Sequence, residues 1–283
     1  MRFSIQHQSR YEYSAPVFLE PHVVRLTPRC YLSQRLHRFD LTIDPAPAGR
    51  VDGLDAENNA FTQIWFEGLH SQLDFHVDLE VETLRKNPFA GLLTEGADRL
   101  PLALRHDLAA RLSPYLGSTE DPAIAALAGE TMKESNGDSQ TFLSRLCSDL
   151  YARITRVCRI ESGIQTPAAT LKTQRGACRD VTVVFMEACR SVGIPARFVS
   201  GYQRGDDDEP HRDLHAWAEC FLPGLGWRGY DPSHGLAVAD DHIPLVAAAH
   251  PQHTAPVTGS YRGKATSRVA FSIKIDTRES CIT

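Results

Sequence analysis

Long apolar runs are missing from this sequence. None approaches the roughly 18 apolar residues that a membrane-spanning helix needs. The first residues, MRFSIQHQSRYEYS, alternate polar and apolar positions and hold no apolar signal core. Internal repeats and low-complexity tracts are missing as well. We therefore predict a soluble, cytoplasmic protein that makes no contact with a membrane.

Paired cysteines are missing too. The chain has seven cysteines, an odd number, and no two of them form a Cys-x-x-Cys pair. This spacing is typical neither of a secreted disulfide framework nor of a zinc ribbon. With 283 residues the chain can bury a core without disulfide bonds, so we expect free thiols in a reducing compartment. The cysteines are at positions 30, 147, 158, 178, 189, 220 and 281.

The chain also lacks an excess of positive charge. The chain has 30 lysines and arginines against 35 aspartates and glutamates, for a net charge of -5. We therefore expect no nucleic-acid partner. The late histidines also lack a metal-ligand spacing, and HRDLH lacks the glutamate of an HExxH site, so we expect no metal and no organic cofactor. These histidines are at positions 211, 234, 242, 250 and 253.

The first 85 residues alternate apolar and polar side chains. This period of two occurs in several short segments separated by the turn sequences DPAPAGR and DAENNAF, so it predicts antiparallel strands with one solvated face. The period fails in RKNPFAGLLTEGADRLP, where glycine and proline accumulate. We therefore place a boundary near residues 86–100, with an all-β N-terminal domain at 1–90 and a second domain at 91–283.

The second domain begins with helical patterns and ends with strands. DPAIAALAGETMKE starts with an aspartate at the N-cap position and a proline at N1, and DSQTFLSRLCSDLYARITRV has helical spacing through Ile154. A third helix follows Cys178 and stops at SVGIP. ARFVSGYQ, HAWAECFL and WRGYDPS then predict three strands. The fold class predicted for the chain is α+β.

Cys178 stands in the first turn of the third predicted helix, within TQRGACRDVTVVF. The unpaired N–H groups and the positive end of the helix dipole lower the pKa of a cysteine there and favour its thiolate. Gly176 allows a close approach just before it, and the same N–H groups can receive an oxyanion. The alternative is a packed core thiol, which is our interpretation of Cys189 in the helix interior.

His215 and Asp231 are the candidate base and orienting carboxylate. His215 begins the strand HAWAECF, and Asp231 ends the next one, in GYDP. Adjacent antiparallel strands lie about 5 Å apart, so the two side chains can meet if the segments pair. A packed strand histidine and an Asp-Pro turn are the alternatives.

Several motifs in this order resemble the transglutaminase-like superfamily of papain-fold cysteine enzymes, in its bacterial branch. They are GACRD, GIPARFVSGY, HAWAECFLPGLGWRGYDPSHG and DDHI, preceded by HQSRYEYSAPVFLEPHVVRLTPR, which resembles the β domain of that branch. The resemblance covers nearly the whole chain. It implies a papain-like core of helices packed on an antiparallel sheet, with Cys178 as nucleophile, His215 as general base and Asp231 as the residue that orients the imidazole.

Two segments depart from the family pattern. Residues 181–183 are Val-Thr-Val, where members usually have Phe-Ala-His. Residues 248–251 are Ala-Ala-His-Pro, where the family often has Gly-Arg-Asp-Tyr. Neither departure touches the three candidate residues. We expect both to reshape the cleft, so the substrate preference is not inherited from the family.

Other residues are candidates for supporting roles. Asp180 is expected to support the helix start, because the dipole stabilises a carboxylate there. Trp217 and Trp227 flank the base and the orienting carboxylate. Each is expected either to pack in the core or to form a wall of the cleft. Tyr202 and Gln174 are candidates for a second oxyanion donor. We interpret the acidic run DDDE at residues 206–209 as a solvated loop that could screen substrates.

These residues predict a thiol enzyme that acts on peptide, isopeptide or glutaminyl amides through a thioester acyl-enzyme. Hydrolysis is favoured over transfer to an amine, because the sequence suggests neither a calcium-binding loop nor an amine tunnel. The expected partner is a protein or peptide substrate, and the oligomeric state stays open. The alternatives are a non-catalytic peptide-binding module on the same fold, a true transglutaminase, and a metal-dependent hydrolase that uses the late histidines.

Overall fold

A computed structural model of the protein describes residues 1–29, 32–117, 120–159, 163–205 and 213–279. Cys30, His211, Cys281 and the acidic run at 206–209 lie outside these ranges, so the predictions made for them stay predictions. Sheets and helices combine in an α+β fold, as predicted from the sequence. Within the described ranges, no helix is both long and apolar enough to cross a membrane.

The period-two segments within residues 1–85, called the first part below, form strands, as predicted. In β1 and β6 every second side chain is buried, because the face that carries Phe3, Ile5 and Phe75 packs into a common core. The opposite face is solvated. The strands of the first part are β1 (Arg2–Leu19), β2 (His22–Val24), β3 (Gln34–Asp44), β4 (Gly49–Leu54), β5 (Ala60–Trp65) and β6 (His70–Thr83).

Three strands near the end of the described chain return to this first part. They are β14 (Val257–Thr258), β15 (Tyr261–Arg262) and β16 (Ser267–Arg278). β1 pairs antiparallel with β6 along one edge and with β16 and β15 along the other, while β14 pairs with β2. The boundary at residue 90 stays a prediction. The pairing shows that strands from residues 257–278 belong to the same sheets as the strands of the first part.

Five α-helices lie within the described part of the chain, all between residues 106 and 191. They are α1 (His106–Leu112), α2 (Pro122–Glu134), α3 (Ser139–Arg153), α4 (Pro167–Thr173) and α5 (Cys178–Ser191). The Asp121 carboxylate caps α2 by accepting from the Ala123 N–H, with Pro122 at N1, as predicted. The helical spacing predicted through Ile154 is one residue too long, because Ile154 is already extended and only its N–H bonds back to Leu150.

A five-stranded antiparallel sheet supports the candidate site. Its order is β12-β11-β10-β9-β13, and its three middle strands are those predicted from the sequence. Ala216, Ala218 and Cys220 on β10 share a core with the apolar side of α5, which lies against the sheet. The strands are β9 (Ala196–Gln203), β10 (His215–Leu222), β11 (Gly226–Asp231), β12 (Leu236–Ala237) and β13 (His242–Ala248).

A buried polar contact joins β1 to β9. His7 Nδ1 lies 3.0 Å from the Tyr202 hydroxyl, and His7 Nε2 lies 3.0 Å from the Ser9 hydroxyl. Ile243 and Leu245 on β13 join the same core as the apolar side chains of β1. The first part therefore packs directly against the sheet that carries the candidate site.

Acid is expected to weaken this contact through His7. Burial lowers the pKa of His7 to about 4, whereas an unfolded histidine titrates near 6.5. The stabilisation from neutral His7 is complete above pH 6.5 and is lost as the pH falls toward 4. Between pH 7 and pH 4.5 we expect this residue to lower the free energy of unfolding by about 2 to 3 kcal/mol. Denaturant unfolding at both pH values measures the loss.

The matched control is His7→Gln, which keeps a polar side chain but cannot titrate. Its free energy of unfolding should fall by about 2 to 3 kcal/mol less than that of the wild type over the same pH interval. Equal falls in the two proteins would contradict the assignment to His7.

Candidate active site

Cys178 is the first residue of α5, and a buried carboxylate anchors the turn that holds it. The Asp180 side chain is fully buried and accepts hydrogen bonds from the Ala177 N–H at 2.9 Å and the Gln165 N–H at 2.8 Å. The Arg159 guanidinium adds a third bond at 3.3 Å. Asp180 therefore lies in the first helical turn, as the sequence suggested, and ties the helix start to the preceding segment.

Two further contacts fix this turn against the sheets. The Thr182 hydroxyl lies 2.8 Å from the Cys178 carbonyl oxygen and 3.2 Å from the Ala216 carbonyl oxygen, so it joins α5 to β10. Just before the helix, β7 (Thr155–Arg156) and β8 (Arg175–Gly176) form a short parallel pair. The partly exposed Cys178 side chain is thus held at a defined place beside the start of β10.

His215 and Asp231 meet at the ends of neighbouring strands. The register that pairs Ala218 with Tyr230 brings the end of β11 next to the start of β10. His215 Nε2 lies 2.7 Å from Asp231 Oδ2, and both side chains are buried. The His215 imidazole lies near enough to the Cys178 thiol for each group to shift the pKa of the other. Since Asp231 occupies Nε2, Nδ1 is the nitrogen that remains for the thiol.

Asp231 receives more donors than the sequence predicted. Its Oδ1 accepts from the Ser233 N–H at 3.0 Å and the Ser233 hydroxyl at 2.8 Å. Its Oδ2 accepts from His234 Nδ1 at 2.8 Å and His242 Nε2 at 3.0 Å, in addition to His215. We call these five residues the Asp231 cluster. A buried carboxylate with this many donors is held ionised and in one orientation.

The pKa values in the site favour charge separation. For His215, burial opposes the charged form, but the Asp231 carboxylate and the Cys178 thiolate outweigh it and raise the pKa to about 10. For Cys178, burial acts upward, but the His215 imidazolium and the Ala216 N–H lower the pKa overall. Although burial acts upward on Asp231 too, the His215 charge and the imidazole hydrogen bonds hold its pKa well below its usual range.

The two candidate tryptophans lie in different surroundings. The Trp217 ring stacks on His215 with centroids 6.3 Å apart, and it is buried, so it supports the imidazole from the core. Trp227 lies at the other end of β11 from Asp231, with the Arg197 guanidinium 4.1 Å from its ring centroid. The structure therefore places Trp217 beside the base but does not place Trp227 beside Asp231.

Of the two candidate oxyanion donors, Tyr202 faces away from the site. Tyr202 is fully buried and its hydroxyl bonds to His7. Its neighbour Gly201 pairs with His215, so Tyr202 points to the other face of β9, where the first part of the chain covers it. Gln174 is an exposed residue that ends α4 in a left-handed conformation. Gln174 stays a predicted donor, alongside the backbone N–H groups in the first turn of α5.

The two departures from the family pattern lie at different distances from the site. Thr182 belongs to the first one and contacts Cys178 and β10 directly. The second one begins at Ala248, six residues along β13 from His242 and therefore about 20 Å away. The expectation that both reshape the cleft stays a prediction, and residues 248–251 lie at the far end of β13 from His242.

His234 and His242 entered the sequence analysis only as possible metal ligands. Their roles in the Asp231 cluster follow from the positions of YDPSH and DDHI in space, which the sequence does not give. The ligand atoms of His215, Asp231 and His234 lie within 4.8 Å of one another, a spacing that a metal ion could share. The expectation of a metal-free protein therefore stays a prediction that needs its own test.

Family models match two regions of the chain. Residues 3–82 match the bacterial transglutaminase-like N-terminal region, and residues 125–232 match the transglutaminase-like superfamily. The two matched regions confirm the family resemblance found in the sequence.

Several relatives show the same relationship along the chain. An uncharacterized protein of Mycobacterium tuberculosis is 28% identical over 264 residues, which cover 86% of this chain and 82% of that protein. A second one, from Mycobacterium leprae, is 23% identical over 286 residues, covering 97% and 98%. A protein-glutamine gamma-glutamyltransferase of Pseudomonas aeruginosa is 36% identical over 72 residues, covering 23% of this chain and 11% of that enzyme.

A solved structure shares the fold over the full length. It is a protein of Cytophaga hutchinsonii, provisionally named a cysteine protease, with a TM-score of 0.75 and 17% sequence identity. The match covers 100% of this chain and 92% of that one. The similarity supports the papain-like fold predicted from the sequence.

Proposed function

We propose that this chain, a member of the transglutaminase-like superfamily, is a cysteine-dependent enzyme that cleaves or transfers acyl groups from peptide, isopeptide or glutaminyl amides. One observation carries the proposal: the His215 imidazole, which lies 2.7 Å from the Asp231 carboxylate, also lowers the pKa of Cys178 at the start of α5. The thiol is partly exposed, whereas the base and the carboxylate are buried behind it.

The proposed reaction begins with attack of the Cys178 thiolate on an amide carbonyl carbon. The carbonyl oxygen becomes an oxyanion, which the N–H groups of the first turn of α5 stabilise. His215, held as imidazolium by Asp231, gives its proton to the leaving amine, and the carbon–nitrogen bond breaks. The product is a thioester on Cys178. A water molecule or an amine then attacks the thioester while His215 takes the proton, the carbon–sulfur bond breaks, and the pair of Cys178 thiolate and His215 imidazolium is restored.

We favour water as the acceptor, with a protein or peptide as the substrate, in the cytoplasm. The name of the Pseudomonas aeruginosa relative points to amine transfer, whereas the name of the Cytophaga hutchinsonii structure points to proteolysis. Incubating the protein with glutamine-containing peptides, with and without a primary amine, separates the two outcomes. A new carboxylate alone supports hydrolysis, whereas incorporation of the amine supports transfer.

Alkylation of the native protein tests whether Cys178 is a thiolate. At pH 6 iodoacetamide is expected to modify Cys178 fast, and His215→Ala is expected to slow it, because the imidazolium that stabilises the thiolate is lost. Cys158 is exposed and serves as the accessibility control, while Cys189 is buried and its pKa is raised by burial and by Cys220. Peptide mass spectrometry locates each modified residue.

An alkylation rate for Cys178 no faster than that of the other cysteines between pH 5 and 7 would count against the proposal. It would favour the alternative of a peptide-binding module without catalysis. The metal-dependent alternative rests on His215, Asp231 and His234 and predicts stoichiometric zinc in the purified protein. Activity that survives a chelator, in protein that contains no zinc, would remove that alternative.

A further inference from the structure

His242 reaches the Asp231 cluster from a strand that is not a neighbour of β11. In the sheet order, β10 and β9 lie between β11 and β13. His242 begins β13 and is buried, yet its Nε2 lies 3.0 Å from Asp231 Oδ2. Its ring also contacts the edge of Trp217, with centroids 5.0 Å apart. The His242 side chain therefore extends over one face of the sheet and contacts Asp231, the carboxylate that is hydrogen-bonded to His215.

The absence of a side chain at Gly201 on β9 keeps this crossing open. A Cβ atom at Gly201 would lie 2.7 Å from the Trp217 ring and 2.2 Å from the Ile243 carbonyl oxygen. The Trp217 ring contacts both His215 and His242, so a displaced Trp217 would disturb both imidazoles. A glycine at position 201 of β9 therefore leaves Trp217 in the place where its ring contacts His242.

The contacts of His242 indicate which of its two ring nitrogens carries the hydrogen. An ionised carboxylate only accepts hydrogen bonds, so Nε2 must carry the hydrogen that Asp231 receives. His242 Nδ1 is buried and has no hydrogen-bond partner among the described residues, as expected for the unprotonated nitrogen of a neutral ring. Burial lowers the pKa of His242 more than Asp231 raises it. These contacts favour a neutral ring that donates to Asp231 through Nε2.

His234 on the same oxygen differs from His242. It is partly exposed, and its Nε2 accepts from Arg156 Nη1 at 3.0 Å, so its orientation depends on a surface residue. His242 has no such dependence, because it lies in the core. Of the two extra imidazoles, His242 is the one that the fold holds rigidly against Asp231.

We propose that His242 is a positioning residue, which fixes the Asp231 carboxylate in the orientation that His215 needs. The inference rests on the proposed function, because it assigns His242 a task only if Cys178, His215 and Asp231 work together. It gives a late histidine, considered above as a metal ligand, a role in holding a carboxylate. In this proposal His242 acts through Asp231 and not on the reacting atoms.

The test compares His242→Phe, His242→Asn and His242→Gln with the wild type. Phenylalanine removes the donor, and asparagine is too short to bring its amide to Asp231, so both should lower kcat by about 10- to 100-fold with little change in KM. Glutamine can place an amide N–H near Asp231 and should recover most of the activity. The same order is expected for the rate of Cys178 alkylation at pH 6, which needs no substrate.

Each result of this test either supports or contradicts the role of His242 as a positioning residue. Full activity in all three variants would overturn the role of His242, and so would equal losses in the glutamine and asparagine variants, because packing alone would then explain the loss. If the phenylalanine variant does not fold, the glutamine and asparagine pair carries the comparison. Slow alkylation of Cys178 in the wild type would count against the proposed function, whereas fast alkylation in the wild type and in every His242 variant would count against this inference alone.

Discussion

Replacement of Cys178 by serine is expected to abolish turnover, with kcat/KM falling at least about 1,000-fold. A serine hydroxyl stays protonated at neutral pH, so it cannot form the ion pair with the His215 imidazolium that the cysteine forms. Cys178 is partly exposed at a helix start, so the change should leave the fold intact. Release of amine from a peptide amide, followed for the variant and the wild type at equal concentration, measures the effect.

Cys158→Ala provides the matched control for this prediction. Cys158 is an exposed free cysteine in the segment that follows β7, and it makes no contact with His215 among the described residues. The control is expected to keep wild-type activity. Turnover that persists in Cys178→Ser, or that disappears in Cys158→Ala, would show that the nucleophile has been assigned to the wrong cysteine.

Asp231→Asn is expected to lower kcat/KM by about 100- to 10,000-fold, because the carboxylate that keeps His215 protonated becomes neutral. The Asp231 charge is the leading cause that raises the pKa of His215 to about 10 against the effect of burial. The activity of the wild type should therefore decline only as the pH approaches 10. In the variant this alkaline decline should begin at a lower pH. A pH profile of kcat/KM between pH 5 and 10.5 measures both effects.

This substitution also affects stability, so the measurement needs folded protein. Asp231 is fully buried, and loss of its charge leaves the buried His215 imidazolium without its counter-ion, at a cost of about 3 to 5 kcal/mol. Circular dichroism before each assay establishes the folded fraction. Asp240→Asn removes a carboxylate outside the hydrogen bonds to Asp231 and should change neither the rate nor the profile. An alkaline decline that stays near pH 10 in Asp231→Asn would contradict the role given to this carboxylate.

Local patterns predicted the elements that carry the site. The alternation of apolar residues predicted the strands of the first part, and Asp121 and Pro122 predicted the start of α2. The family motifs also singled out His215 and Asp231, whose side chains the structure brings within hydrogen-bonding distance. These features depend on neighbours in the sequence or on motifs of a few residues, so they are visible before the chain folds.

The residues that the sequence analysis misplaced depend on which face of a strand they occupy. Tyr202 was a candidate oxyanion donor, yet a one-residue step along β9 turns it away from His215 and toward His7. His242 approaches Asp231 across two intervening strands, a contact that follows from the order of strands in the sheet. Strand order and register arise from tertiary packing, so no local pattern reveals them.

The pairing of β1 with β16 has a consequence for how the chain folds. Twelve residues of β1 pair with Ser267–Arg278, more than 250 residues further along the chain. A ribosome releases β1 long before it releases this partner, so during synthesis one edge of β1 is open while the helices and the Cys178 region emerge. Contacts of such high sequence separation form slowly, and open strand edges invite aggregation. The sheet of the first part can therefore be completed only after the residues of the site have been made.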